Sequence, residues 1–288
     1  QSDHPSTKID PIWGADSLYE LYESAAMPLA FHKPLFDRAR ERGLIPFTSV
    51  YDPMDLPFTE DLGCELYKIA SFEMTYDNLL FELAQTRKPL VLSTGMANLM
   101  EVDHAIEVLG RFHHGPLVLL HCCSSYPAPL EDINLRAMEV LRARYGLPVG
   151  FSDHTIGSSA PVAAAAMGAA VIEKHFTNDT LRSGPDHRFS ATPEIMAKIA
   201  VGSAKAHLAR GQAKKSATSA EQTNKLVGRR SAFAIKNLAV GTMLSSTDFR
   251  FVRPAAGIPA NDPTSLKGAV LLRKVTKGHP IRYEDIQK

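Results

Sequence analysis

Val149-Gly150-Phe151-Ser152-Asp153-His154-Thr155 and Val171-Ile172-Glu173-Lys174-His175-Phe176-Thr177 are two short apolar runs, each ending in a polar cluster that contains a histidine. Residues 156–170 between them are rich in alanine, with Gly168 near the end, and predict a helix. Strand, helix, strand is a βαβ unit, whose two strands run parallel. His154 and His175 therefore fall at the carboxyl ends of neighbouring strands. Two neutral imidazoles placed side by side suit a divalent metal that keeps open positions for substrate. Taken singly, a histidine at a strand end is more often a hydrogen-bonded structural residue.

The same rhythm runs upstream. Residues 45–51, 65–70, 89–92 and 117–122 predict strands, and residues 54–62, 78–85, 100–109 and 135–145 predict helices, with a closing helix over 193–208. Each strand is apolar nearly throughout, as expected when both faces of a sheet are covered. Lys68, Ser71, Ser93 and Tyr126 end their strands as the histidines do, so the polar groups gather at the face where a (β/α)8 barrel places its chemistry. A doubly wound sheet is the structural rival, but no G-x-G-x-x-G follows an early strand. About six strands are countable, whereas a closed barrel has eight. The shortfall can all be placed before Gln1, so two βα units are expected upstream of it.

Ahead of the first strand, residues 1–16 read as an irregular loop. Ser17 caps a helix over 18–26, and a second helix over 34–42 is closed by Gly43. Residues 1–208 are thus one α/β domain, 209–227 a polar linker, and 228–288 a small, mainly β domain. Within the last, Ala239-Val240-Gly241-Thr242-Met243 and Val275-Thr276-Lys277-Gly278-His279-Pro280 echo one another, each followed by a short acidic turn. At about 60 residues such a domain has a marginal core and is expected to pack on something else.

The totals exclude several function classes. Among 288 residues, 32 lysines and arginines stand against 31 acidic residues, a formal net charge of +1, which gives no electrostatic case for nucleic acid or an anionic membrane. The longest apolar run is too short to span a bilayer. The three cysteines, Cys64, Cys122 and Cys123, form no disulfide framework and read as small core residues in a reduced, cytoplasmic setting.

Six segments carry a resemblance: Tyr67-Lys68-Ile69-Ala70-Ser71, Leu92-Ser93-Thr94-Gly95-Met96, Ser125-Tyr126-Pro127-Ala128-Pro129, Gly150-Phe151-Ser152-Asp153-His154-Thr155, Glu173-Lys174-His175-Phe176-Thr177 and Gly184-Pro185-Asp186-His187. Together they resemble the sialic acid (nonulosonic acid) synthases. Gly228-Arg229-Arg230-Ser231 and Val252-Arg253-Pro254 with Gly257-Ile258 are similar to that family's antifreeze-like (SAF) domain. The resemblance implies a (β/α)8 TIM barrel followed by a SAF domain. It implies a transferase that condenses phosphoenolpyruvate (PEP) with the open-chain aldehyde of an N-acetylated amino sugar and releases phosphate. A divalent ion is implied too: Mn2+ foremost, Mg2+ or Co2+ otherwise.

Carried onto this chain, the resemblance makes His154 and His175 the metal ligands. It makes Lys68, Ser71, Ser93 and Ser152 holders of the PEP carboxylate and phosphate, Lys68 being catalytic as well. Tyr126, Asp186 and Arg253 become sugar contacts. Arg253 resembles the SAF-domain arginine that reaches a partner subunit's site, which implies a domain-exchanged homodimer. Blander roles stay open. Lys68 could be structural, Ser71 and Ser93 could cap helices, Tyr126 could anchor a turn, and Asp186 and Arg253 could form surface ion pairs. The family's first two strands bear an acidic residue and a further phosphate-binding lysine, and nothing in this chain corresponds to either.

For the sugar, Ile12-Trp13-Gly14, Ser17-Leu18-Tyr19-Glu20-Leu21-Tyr22, Phe31-His32-Lys33-Pro34-Leu35-Phe36 and Ser71-Phe72-Glu73 look most like the pseudaminic acid branch. Gly184-Pro185-Asp186-His187 leans toward the legionaminic and N-acetylneuraminic branches. Two other readings are a class I aldolase with a Schiff base at Lys68 and an inactive glycan-binding fragment.

Overall fold

A computed structural model describes residues 17–112 and 114–288. The loop expected over 1–16, with Ile12-Trp13-Gly14, lies outside the described residues. The chain divides after Gly211 into two compact units, the second being Gln212–Lys288.

The described residues of the first unit open with two helices. Ser17 caps α1 (Leu18–Ala25), its hydroxyl accepting from the Glu20 N–H. The second helix, α2 (Leu29–Glu41), starts five residues before the expected Pro34 and passes through it. Proline favours the first helical turn, and the proline that sets this start is Pro28, not Pro34. Strands and helices then alternate: β1 (Thr48–Ser49), α3 (Leu56–Asp61), β2 (Tyr67–Ile69), α4 (Asp77–Gln85), β3 (Leu90–Ser93), α5 (Leu99–Gly110), β4 (Leu117–Cys122), α6 (Ala137–Tyr145), β5 (Val149–Asp153), α7 (Ser159–Ala166), β6 (Ile172–Lys174) and α8 (Pro193–Arg210).

The six strands form one parallel sheet in sequential order, β1-β2-β3-β4-β5-β6. A doubly wound sheet reverses its order at a switch point; this one never does, which is the winding of a βα barrel. Ala191 continues the order with a single parallel bridge to Phe176. Tyr67, Ile69, Leu90, Leu92, Leu119, Val149 and Phe151 of the strands pack with Leu80, Leu83, Ala105, Leu109, Met138 and Ala164 of the helices. Gly150 lets β5 and β6 close together, because a Cβ there would lie 2.6 Å from Leu120 Cδ2 and against the Val171 carbonyl.

The second unit has its own core of Ala232, Ala234, Leu238, Leu244, Ile258, Leu266, Leu271, Val275 and Ile281. After α9 (Gln222–Gly228), β7 (Ser231–Ala234) pairs antiparallel with β8 (Phe249–Val252), and β9 (Val270–Leu271) with β10 (Ile286–Gln287). The expected linker is therefore not featureless. Thr218 and Glu221 form a capping box just ahead of α9. An antiparallel bridge joins Val275, the first residue of the second sequence echo, to Leu238, the residue just before the first, and their glycines, Gly241 and Gly278, share a left-handed turn conformation at φ 81° and 83°. Asp248 and Asp285 occupy equivalent places in the acidic turns, accepting from the N–H of Ser245 and Arg282 respectively, each at 2.7 Å.

Candidate active site

The carboxyl ends of β2, β3, β5 and β6 deliver their polar side chains to one cluster. Lys68, only 5% exposed, donates from Nζ to Ser93 Oγ at 2.8 Å and to the Ile69 carbonyl at 3.0 Å. Its Nζ lies 3.8 Å from Glu173 Oε2. The other oxygen of that carboxylate accepts from Ser152 Oγ at 2.6 Å, and Ser152 faces Glu173 in the β5–β6 register. One glutamate thus joins the lysine of β2 to the serine of β5. Burial pushes the Lys68 ammonium below its ordinary pKa, opposed by Glu173.

Ser71 opens the turn after β2. Its Oγ accepts from the Gly95 N–H at 3.0 Å and lies 3.1 Å from Cys122 Sγ. Neither Ser71 nor Ser93 caps a helix, since α5 is capped by Asn98 and the turn after β2 has no side-chain cap. Around Gly95 the chain is tight: a Cβ there would come within 2.8 Å of Ser71 Oγ and 2.7 Å of Cys122 Sγ. A cavity of about 790 Å³ lies between the loops after β3 and β4 and helix α6; His121 lines it, but His154 and His175 do not.

His154 and His175 stand on adjacent strand ends with ring centroids 5.3 Å apart. His154 Nδ1 lies 2.8 Å from the Cys123 carbonyl. A carbonyl only accepts, so Nδ1 carries the proton and Nε2 keeps its lone pair. Burial holds His154 below its ordinary pKa, and it is therefore neutral near pH 7. His175 Nδ1 lies 3.4 Å from Asp186 Oδ2. The Tyr126 ring leans on His154 at 4.3 Å and on Phe189 at 5.7 Å, and burial pushes its hydroxyl up to about 12. Among the described residues no group of three or more His, Cys, Asp or Glu side chains is placed to hold a metal ion, so the paired imidazoles stand as a two-residue set.

The first unit thus brings together eight of the nine expected residues: Lys68, Ser71, Ser93, Ser152, His154, His175, Tyr126 and Asp186. Arg253 belongs to the second unit, where it follows β8 and its Nε donates to the Gly228 carbonyl at 2.8 Å. Two carboxylates escaped the sequence reading. Glu173 was findable, because it stands two residues before His175 and a strand turns alternate residues to one face. Glu73 lies in a 3-10 turn, where no simple period applies. Its Oε2 is buried without a hydrogen-bond partner, and burial raises its pKa. All three cysteines are free thiols. None of the described helices is long and apolar enough to cross a membrane.

Comparison with known proteins places this geometry. Residues 1–215 match the NeuB family, and residues 229–287 match the SAF domain. The chain is 33% identical to the pseudaminic acid synthase of Helicobacter pylori over 289 aligned positions, covering 98% of this chain and 85% of the relative. It is 34% identical to the N,N'-diacetyllegionaminic acid synthase of Legionella pneumophila, covering 93% and 77%. The crystal structure of the N-acetylneuraminic acid synthetase of Leptospira borgpetersenii, in complex with citrate, superposes with a TM-score of 0.68 at 32% identity, over 71% of this chain and 72% of that one. With a sequentially wound parallel sheet, polar groups gathered at its strand ends and an SAF domain after it, the chain belongs to the NeuB family of nonulosonic acid synthases.

Proposed function

We propose that this protein condenses PEP with 2,4-diacetamido-2,4,6-trideoxy-altrose, releasing phosphate and forming pseudaminic acid. The observation that carries the reaction is the Lys68–Ser93–Glu173–Ser152 cluster lying beside His154 and His175. The pseudaminic branch rests on the Helicobacter pylori relative, whose alignment covers 98% of this chain.

In this reading the Lys68 ammonium supplies charge to the PEP anion, and the hydroxyls of Ser71, Ser93 and Ser152 supply directed donors. Glu173 holds Ser152 and Lys68 in place until the anion arrives. Tyr126 offers the sugar an apolar face, and Asp186 and the unpartnered Glu73 Oε2 accept from its hydroxyls. Arg253 binds the N-acetyl group in the site of a second copy, within a domain-exchanged homodimer. The bond formed joins C3 of PEP to the aldehyde carbon. Water then adds at C2, and phosphate leaves.

The histidines fit a divalent ion. His154 is neutral, its Nδ1 proton is committed to a backbone carbonyl, and its Nε2 is left as a donor beside His175. When bound there, an ion of the Mn2+ type (Mg2+ or Co2+ in its place) supplies Lewis-acid polarisation of the aldehyde oxygen.

Mass spectrometry of the product tests this reading. The protein is incubated with PEP and, separately, the altrose derivative, N-acetylmannosamine and the legionaminic precursor. Product from the altrose derivative alone is expected. Product from one of the others alone moves the enzyme to that branch, and no product from any sugar contradicts the synthase reading.

A further inference from the structure

Asp153 and Lys174 are charged, buried and unused by the mechanism above. They face each other in register at the ends of β5 and β6. Strand alternation turns them away from the face that carries Ser152, His154, Glu173 and His175. Their side chains are 0% and 2% exposed, and Lys174 Nζ donates to Asp153 Oδ2 at 2.6 Å. The other Asp153 oxygen accepts from the Thr155 N–H at 2.9 Å, and Lys174 Nζ also donates to the Thr155 carbonyl. Thr155 is itself 1% exposed. Both backbone groups of Thr155 are therefore tied to one ion pair, and His154 sits between two tethered residues.

A buried ion pair is a poor source of stability, since desolvating two charges consumes most of their attraction. Its best-attested use is to fix a register. Register is what the histidines need. β6 is three residues long, and a slip of one residue would turn His175 to the opposite face. No other buried ion pair among the described residues joins these two strands.

We propose that Asp153 and Lys174 are positioning residues that hold His154 and His175 at the separation at which both imidazoles bind one divalent cation. The inference rests on the metal reading above, and the test separates the two. Lys174→Met alone leaves a buried carboxylate without its partner, so the test uses the double variant D153N/K174M, which removes both charges and keeps an acceptor for the Thr155 N–H. Lys174→Arg is its companion: it keeps the charge but alters the tether's geometry, and it decides the question if the double variant does not fold. Each full-length protein is titrated with Co2+ and followed by its visible d–d absorption, with thermal unfolding as the check on folding.

The wild type should bind Co2+ with a histidine-ligand band that His154→Ala abolishes. D153N/K174M should weaken Co2+ binding by about 10- to 100-fold, the range seen when supporting partners of metal-binding histidines are lost. Its band should shift, as should that of Lys174→Arg. Wild-type affinity and spectrum in both variants would overturn the positioning role and leave the metal reading standing. Absence of a Co2+ band in the wild type would overturn both.

Discussion

In the second unit the buried oxygens of Ser231, Asp248 and Asp285 all serve the unit's own fold. Ser231 Oγ donates to the Pro254 carbonyl at 2.7 Å and accepts from the N–H groups of Ala256 and Gly257, each at 3.0 Å. Asp248 is divided between Ser245 and Lys236, and Asp285 between Arg282 and Arg273. In the first unit the polar groups at the strand ends touch backbone too, but they also meet each other across strands: lysine to serine, serine to glutamate, imidazole beside imidazole. One oxygen in this unit, Glu73 Oε2, is buried without a hydrogen-bond partner. Burial of a polar group is thus no sign of a site. What distinguishes the two regions is whether polar side chains from several strands converge on one another, as Lys68, Ser93, Ser152 and Glu173 do, or each serve a turn of their own.

Substitutions should break the two regions in different currencies. The largest effect is expected at Lys68→Met, which removes the ammonium from the cluster. kcat/KM for PEP should fall by about 10²- to 10³-fold, the loss typical of a preorganised electrostatic donor, with the fold intact by circular dichroism. Gly95→Ala comes next, because its Cβ displaces Ser71 Oγ and Cys122 Sγ from around the turn. A shift of that size should lower kcat/KM by about 10²-fold, with little change in thermal midpoint. Ser231→Ala should do the reverse. It strands two N–H donors and a carbonyl in a unit that buries Ser231 completely, costing about 1–3 kcal/mol in chemical unfolding, with PEP kinetics unmoved. A Ser231→Ala enzyme that was stable but inactive would erase the distinction between the two units.

The smallest effect is a matter of pH. Binding of the PEP anion needs Lys68 as ammonium, and burial lowers its pKa from the ordinary lysine value. PEP affinity should therefore decline as pH rises through that lowered pKa, at a lower pH than an exposed lysine (about 10.4) would lose its charge. Affinity that holds unchanged up to that ordinary value would show that Glu173 outweighs burial.

Much of this was legible in the sequence, for a physical reason. A parallel strand buried on both faces leaves its signature as an apolar run, and the first polar residues after the run mark its carboxyl end. That rule sufficed for Lys68, Ser93, Ser152, His154 and His175. It failed where several elements shape one place. The strands are shorter than their apolar runs, because β1 and β6 pair for only two or three residues. The start of α2 depended on which of two prolines caps it. The helix α9 was signalled by the Thr218–Glu221 capping box inside a stretch that composition marked as linker. The Asp153–Lys174 pair needed the β5–β6 register, which no single strand contains.

The most direct test of the whole account is phosphate release from PEP in the presence of the acceptor sugar, with Mn2+ and then with EDTA, for the wild type and His154→Ala. Release by the wild type that EDTA abolishes and Mn2+ restores is expected, with none by His154→Ala under either condition. Release that survives both EDTA and loss of His154 would contradict it, by showing that the paired histidines are not the centre of the chemistry.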